Sequence, residues 1–160
     1  MIPLMYSARE RVFSLDSPEA TERVAFEVAQ FLAAGDCLLL EGPVGAGKST
    51  FARAVIASLL ATPEDIPSPT FTLVQTYETA NFEIWHCDLY RLNSSDELME
   101  LGLEDAFVEA VTLVEWPDRL GDLAPKNAQR LLFSDGPADD ARVLTVSGDA
   151  RWATVTEALQ

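Results

Sequence analysis

Cys37-Leu38-Leu39-Leu40-Glu41-Gly42-Pro43-Val44-Gly45-Ala46-Gly47-Lys48-Ser49 is the stretch that decides the fold. It opens as a continuous apolar run without polar alternation, as expected of a central strand covered on both faces. Gly42 to Ser49 then fits G-x-x-x-x-G-K-[ST], the phosphate-binding P-loop. Gly42, Gly45 and Gly47 permit backbone turns that aim N–H groups inward around a phosphate. A helix starting near Lys48 adds its positive N-terminal dipole. In that arrangement Lys48 reaches the β- and γ-phosphates, and the Ser49 hydroxyl binds Mg²⁺. A buried strand before the motif and a helix after it are the context it requires. The motif points to a nucleoside triphosphate and leaves the reaction open.

Upstream, residues 11–15 alternate as a short strand. Ser17-Pro18-Glu19 reads as a helix start: an N-cap hydroxyl, proline at the first helical position and an acid in the first turn. Ala20, Val24, Val28 and Phe31 follow on one helical face, and Gly35 closes that helix. Downstream, a helix is expected over 49–60 and a loop over 62–69, which contains Pro63, Pro67 and Pro69. Residues 71–77 and 82–88 read as a β-hairpin. Ser94 or Ser95 caps a short acidic helix carrying Leu98 and Leu101. Residues 111–115 form a second buried strand. Strands over about 128–133 and 142–146 flank the loop 134–137, and a short helix is expected near 150–159. The elements predict one α/β domain over residues 1–160, a mixed sheet with a parallel core, an inserted hairpin and flanking helices. Residues 1–8 are expected to form an N-terminal tail.

The chain has 160 residues and a formal charge of −15, with 26 acidic and 11 basic side chains. Such a chain does not hold a polyphosphate backbone by bulk attraction, because nonspecific nucleic-acid affinity comes from many Lys and Arg contacts. Any phosphate must be gripped locally, against the overall field. Lys48 is one of only two lysines, the other being Lys126. Nine carboxylates and one cation, Arg119, lie between Ser94 and Asp122. That segment reads either as a solvated surface or as a docking face for a basic partner. The start of the chain lacks a signal-peptide pattern, and no apolar run approaches a membrane span. Cys37 and Cys87 stand alone in apolar runs, as small buried side chains do in a reducing cytosol.

A P-loop needs a carboxylate at the end of a neighbouring strand to complete the Mg²⁺ shell. Glu115, closing residues 111–115, is in the right place. It is glutamate where many such proteins carry aspartate, so it reaches one methylene further. Asp88, ending the hairpin, is the second candidate: it binds magnesium through water or orients an attacking water. Strand alternation puts Ile84, His86 and Asp88 on one face. His86 taken alone reads as a structural hydrogen-bonding residue rather than a catalyst. Thr70, after the Ser68-Pro69 step, offers a hydroxyl to the γ-phosphate as switch loops do, or is an ordinary entry into a strand. Trp116 either covers the nucleotide site, contacts a partner or is a core aromatic. Arg53, on the helix after the P-loop, is expected to face away, and the nine arginines form no cluster along the chain.

Several motifs in order narrow the reading: the P-loop, Ser68-Pro69-Thr70-Phe71-Thr72-Leu73-Val74, His86-Cys87-Asp88-Leu89-Tyr90-Arg91-Leu92, Leu101-Gly102-Leu103 and Leu113-Val114-Glu115-Trp116-Pro117. From about Leu15 to Asp118 the chain resembles the TsaE family, small bacterial P-loop ATPases that act with TsaB and TsaD in making threonylcarbamoyladenosine in tRNA. The family commonly has Gly-Asp-Leu-Gly-Ala-Gly-Lys-Thr-Thr at the P-loop. Here Pro43-Val44 replaces Asp-Leu, which removes one backbone donor, and Ser49 replaces the first Thr while keeping the hydroxyl.

The resemblance implies ATP held by Thr21, Gly42, Val44, Gly45, Ala46, Gly47, Lys48, Ser49, Thr50 and Thr70, with Thr21 by the adenine. It implies Mg²⁺ on Ser49 and Glu115, and Lys48, Asp88 and Glu115 as the catalytic set. Tyr90, Arg91 and Trp116 fall at motif positions tied to activity or partner contact. It implies a cytoplasmic ATPase, weak alone, that supports turnover of TsaB and TsaD and neither transfers the threonylcarbamoyl group nor reads tRNA sequence itself. No membrane association is expected. The alternative is a small-molecule P-loop kinase, which would need an arginine-rich lid to clamp two phosphorylated substrates.

Overall fold

The computed structural model describes residues 9–60, 62, 64–67, 69, 72–92, 94–148 and 152. The P-loop strand is β2, Cys37–Glu41, and it pairs in parallel with β5, Val111–Glu115, on one side and β6, Gln129–Asp135, on the other. Next to β5 lies β4, Glu83–Asp88, also parallel to it. Three further strands join by antiparallel pairing and complete the mixed sheet: β3, Val74–Glu78, beside β4, then β7, Arg142–Gly148, beside β6, and β1, Arg9–Leu15, beyond β7. The seven strands run in the order β1-β7-β6-β2-β5-β4-β3.

β2 is apolar throughout because both of its faces are covered. Leu38 and Leu40 point into one core with Val28 of α1, Pro18–Ala29, and with Phe51, Val55 and Ile56 of α2, Lys48–Leu59. Cys37 and Leu39 point into a second core with Leu98 of α3, Ser95–Leu101, Leu103 of α4, Leu103–Glu109, and Leu120 of the 3₁₀ turns Pro117–Leu123. Both cysteines are free and fully buried. Burial pushes the Cys37 thiol up to about 12 and the Cys87 thiol up as well, so both behave as apolar side chains.

The N-terminus of α1 is as the sequence indicates, with Ser17 Oγ accepting from the Ala20 N–H at 3.2 Å and Pro18 in the first turn. Its C-terminus is not at Gly35. The helix ends at Ala29, and Phe31 and Leu32 donate to Val28 and Ala29 in tighter three-residue steps. β3 begins at Val74 because Leu73 takes a left-handed φ of 68°, which ends the extended backbone. α4 and the 3₁₀ turns were not foreseen. The 1–8 tail and all of the 150–159 helix except Trp152 lie outside the described residues. Trp152 itself is buried in the first core.

The P-loop leaves β2 through Gly42, whose φ is +137°. A Cβ there would stand 2.4 Å from the Phe133 carbonyl oxygen on β6. Gly42→Ala should therefore push β6 off β2 at the root of the loop and cost about 2–4 kcal/mol, from overpacking plus backbone strain. The shift of the urea midpoint at unchanged slope measures it.

Candidate nucleotide site

Parallel pairing sets the carboxyl ends of β2, β5 and β4 side by side, with Glu115 opposite both Leu40 and Asp88. Ligands of open α/β sheets bind beyond such strand ends. Here a cleft of about 500 Å³ opens between the P-loop, the start of α1, the β4 and β5 ends and the 140–142 segment. Of the residues singled out in the sequence, Thr21, Val44, Gly45, Gly47, Lys48, Ser49, Thr50, Asp88 and Glu115 line it together. Gly42 and Ala46 do not. Ala46 points into the first core, and Gly42 lies in a neighbouring hollow with Pro43 and Pro117. Thr70 lies outside the described residues.

Glu115 is the hub of the polar contacts. Ser49 Oγ donates to its Oε1 at 2.9 Å, and His86 Nε2 lies 2.7 Å from its Oε2. Burial on its own pushes the Glu115 carboxyl up. The hydrogen bond and attraction from His86, the Ser49 hydrogen bond and the Lys48 charge together outweigh it and hold the group below the ordinary carboxylate range. Asp88, also buried, accepts from the Tyr90 N–H at 3.0 Å, which fixes the turn after β4.

Lys48 is occupied. Its Nζ donates to the Gly42 carbonyl and sits 3.7 Å above the centre of the Trp116 ring. Trp116 in turn packs on Tyr90, ring centres 5.0 Å apart. Trp116 reaches this place from a left-handed backbone, φ 58° and ψ 54°, squeezed between the end of β5 and Pro117. A bulky residue rarely adopts that conformation. The geometry puts Trp116 at a lip of the cleft, which removes the core-aromatic reading and leaves the other two. Burial lowers the Lys48 pKa, partly offset by the charges of Glu115, Asp88 and Asp118.

Arg53 corrects the expectation that it faces away. α2 begins at Lys48, so Arg53 stands one turn beyond Ser49 on the same face, and it lines the cleft. Arg91 and Arg142 join it there, so arginines scattered along the chain do cluster in space. Arg142 was missed altogether. It donates to the carbonyls of Asp139 and Ala141, both at 2.8 Å, and to that of Gly45 at 3.1 Å, tying the end of β7 to the P-loop. Only the antiparallel return of β7 beside β6 brings it there, and no local pattern announces that. Pro18 and Asp140 also line the cleft. Among the 94–122 carboxylates, Glu115 is buried in this site and is no part of a surface.

The sequence profile of the threonylcarbamoyl adenosine biosynthesis protein TsaE matches residues 15–143. A Rickettsia bellii protein named tRNA threonylcarbamoyladenosine biosynthesis protein TsaE is 44% identical over 111 residues, 69% of this chain and 77% of that one. The Rickettsia felis protein of the same name is 45% identical, and the match spans 65% of this chain and 61% of that relative's length. The Bacillus subtilis protein of that name is 32% identical across 89% of both chains. The crystal structure of Bacillus subtilis YdiB superposes with a TM-score of 0.75 at 27% identity, covering 95% of each chain. With the P-loop strand, the cleft and these relatives in agreement, the chain belongs to the TsaE family.

Proposed function

We propose that this chain binds ATP with Mg²⁺ in the cleft and hydrolyses it in support of the threonylcarbamoylation of adenosine in tRNA, acting with TsaB and TsaD in the cytoplasm. The observation that carries the reading is the Ser49–Glu115 contact at 2.9 Å beside Lys48, at the mouth of a P-loop. The backbone N–H groups of the loop and the N-terminus of α2 face the phosphates. Lys48 exchanges the Gly42 carbonyl for phosphate oxygens. A hydroxyl and a carboxylate are hard oxygen donors of the kind Mg²⁺ takes, so Ser49 and Glu115 would hold the ion. When bound, the ion would supply charge neutralisation to the phosphates. Asp88, at the end of β4, orients the attacking water. Thr21 and Pro18, which line the cleft at the start of α1, would hold the base.

In this reading the isolated chain hydrolyses slowly because two cations of the cleft are already engaged. Lys48 must leave Gly42 and Trp116, and Arg142 is spent on loop carbonyls. A partner that reorganises this lip would raise the rate. The fold places three arginines around the cleft, so the kinase alternative is no longer weakened by a lack of them. Family membership favours the first reading instead.

Lys48→Ala and Glu115→Ala should each cut phosphate release by about 10²-fold or more, the scale of losing one preorganised transition-state contact, with thermal melts confirming folded protein. Unchanged release from Lys48→Ala would sink the site assignment. A TsaB–TsaD pair should bind in at least one nucleotide state and raise the wild-type rate. ATP-dependent phosphorylation of a nucleotide or sugar, without free phosphate release, would transfer the proposal to the kinase.

A further inference from the structure

His86 is the chain's only histidine, and it is completely buried on β4. It does not line the cleft, whereas Glu115 does. Its Nε2 contacts Glu115 Oε2 at 2.7 Å while Ser49 holds the other oxygen, Oε1, at 2.9 Å. Its remaining ring nitrogen, Nδ1, is buried and has no hydrogen-bond partner among the described residues. A side chain placed there for packing alone would be apolar and would avoid that cost. Nε2 must carry a proton, because a bare Nε2 would turn its lone pair toward a carboxylate oxygen 2.7 Å away.

The pairing has a geometric reason. Glutamate has one more rotatable bond than aspartate, so a glutamate ending β5 has more rotamers open to it than the one that sets a carboxylate oxygen against the Ser49 hydroxyl. A donor fixed on the neighbouring strand removes that freedom. β4 pairs with β5 in a register that sets Asp88 opposite Glu115 and His86 opposite Leu113, one pleat back on the same face as Asp88. His86 thus approaches Glu115 from the sheet side and leaves its cleft side open.

We propose that His86 is a positioning residue: its Nε2–H pins the Glu115 carboxylate toward Ser49 and thereby sets the affinity of that oxygen pair for the divalent cation that accompanies ATP. The inference rests on the Mg²⁺–ATP reading of the cleft. Groups that orient a metal-binding side chain without touching the metal commonly carry 10–100-fold of metal affinity.

Two measurements test it. In the ¹⁵N-labelled, untagged chain the single histidine gives one pair of ring nitrogens, and long-range ¹H–¹⁵N spectra should show Nε2 protonated. A bare Nε2 would overturn the proposal whatever the cation does. Titration calorimetry with a non-hydrolysable ATP analogue, with and without Mg²⁺, supplies the second. His86→Leu should weaken the Mg²⁺-dependent part of binding about 10-fold or more, leaving metal-free nucleotide affinity within about 2-fold. His86→Gln, whose amide nitrogen keeps a donor near the reach of Nε2, should recover most of the loss. It also keeps the test open if His86→Leu does not fold. Wild-type Mg²⁺ dependence in His86→Leu, or no recovery in a folded His86→Gln, would overturn the positioning role. Absence of any Mg²⁺ effect in the wild type would instead overturn the reading of the cleft, with the spectra still reporting on the hydrogen bond.

Discussion

The parallel pairing of β2 with β5 is the constraint on which the rest depends. It lays Leu40 opposite Glu115, so the strand that feeds the P-loop and the strand that supplies its carboxylate end level with each other. β4 joins in the same sense and adds Asp88 at the same height. Antiparallel pairing would send those two carboxylates to opposite edges of the sheet. Parallel strands need crossovers, and crossovers put helices on both faces. The apolar character of β2 and the two separate cores are consequences of that arrangement.

The P-loop is clamped from its root. Gly42 passes so close to the Phe133 carbonyl that a side chain has no room, and Phe133 packs its ring on Phe51 of α2 at 5.4 Å. Arg142 reaches the Gly45 carbonyl from the far side. The loop is therefore held by β6, α2 and β7, whereas its tip, Val44, is 84% exposed. The proposed phosphate cradle would need this combination, with a backbone that cannot sag and an outer rim that a ligand can approach.

Much of this was legible from local pattern. The run from Cys37 to Ser49 has one reasonable reading, and the Ser17-Pro18-Glu19 start of α1 is stereochemically specific. Strand alternation put His86 and Asp88 on one face. What it did not supply was the β4–β5 register, and only that register turns His86 toward Glu115. α4 escaped notice because it is short, follows Gly102 directly and has no side-chain cap. Arg53 was recoverable from the sequence: four residues after Ser49 is one helical turn, so the two share a face. Arg142 was not, since its place depends on how the last strands fold back. Trp116 kept its core-aromatic reading open until its left-handed backbone aimed the ring over Lys48.

The net charge and the cleft stand in opposition, and the opposition explains how the cations are used. Of the 11 basic side chains, Lys48, Arg53, Arg91 and Arg142 come together at a single cleft, although only the first two are near in sequence. A chain of −15 repels a polyphosphate at long range. Attraction inside the cleft must come from groups a few ångströms away, where low dielectric makes each contact count. The buried acids do not cancel that attraction uniformly. Glu115 is held by Ser49 and His86, and Asp88 accepts from its own turn, so their charge is directed into fixed hydrogen bonds. Lys48 rests against a carbonyl and an aromatic face, contacts that the proposed phosphate would have to replace.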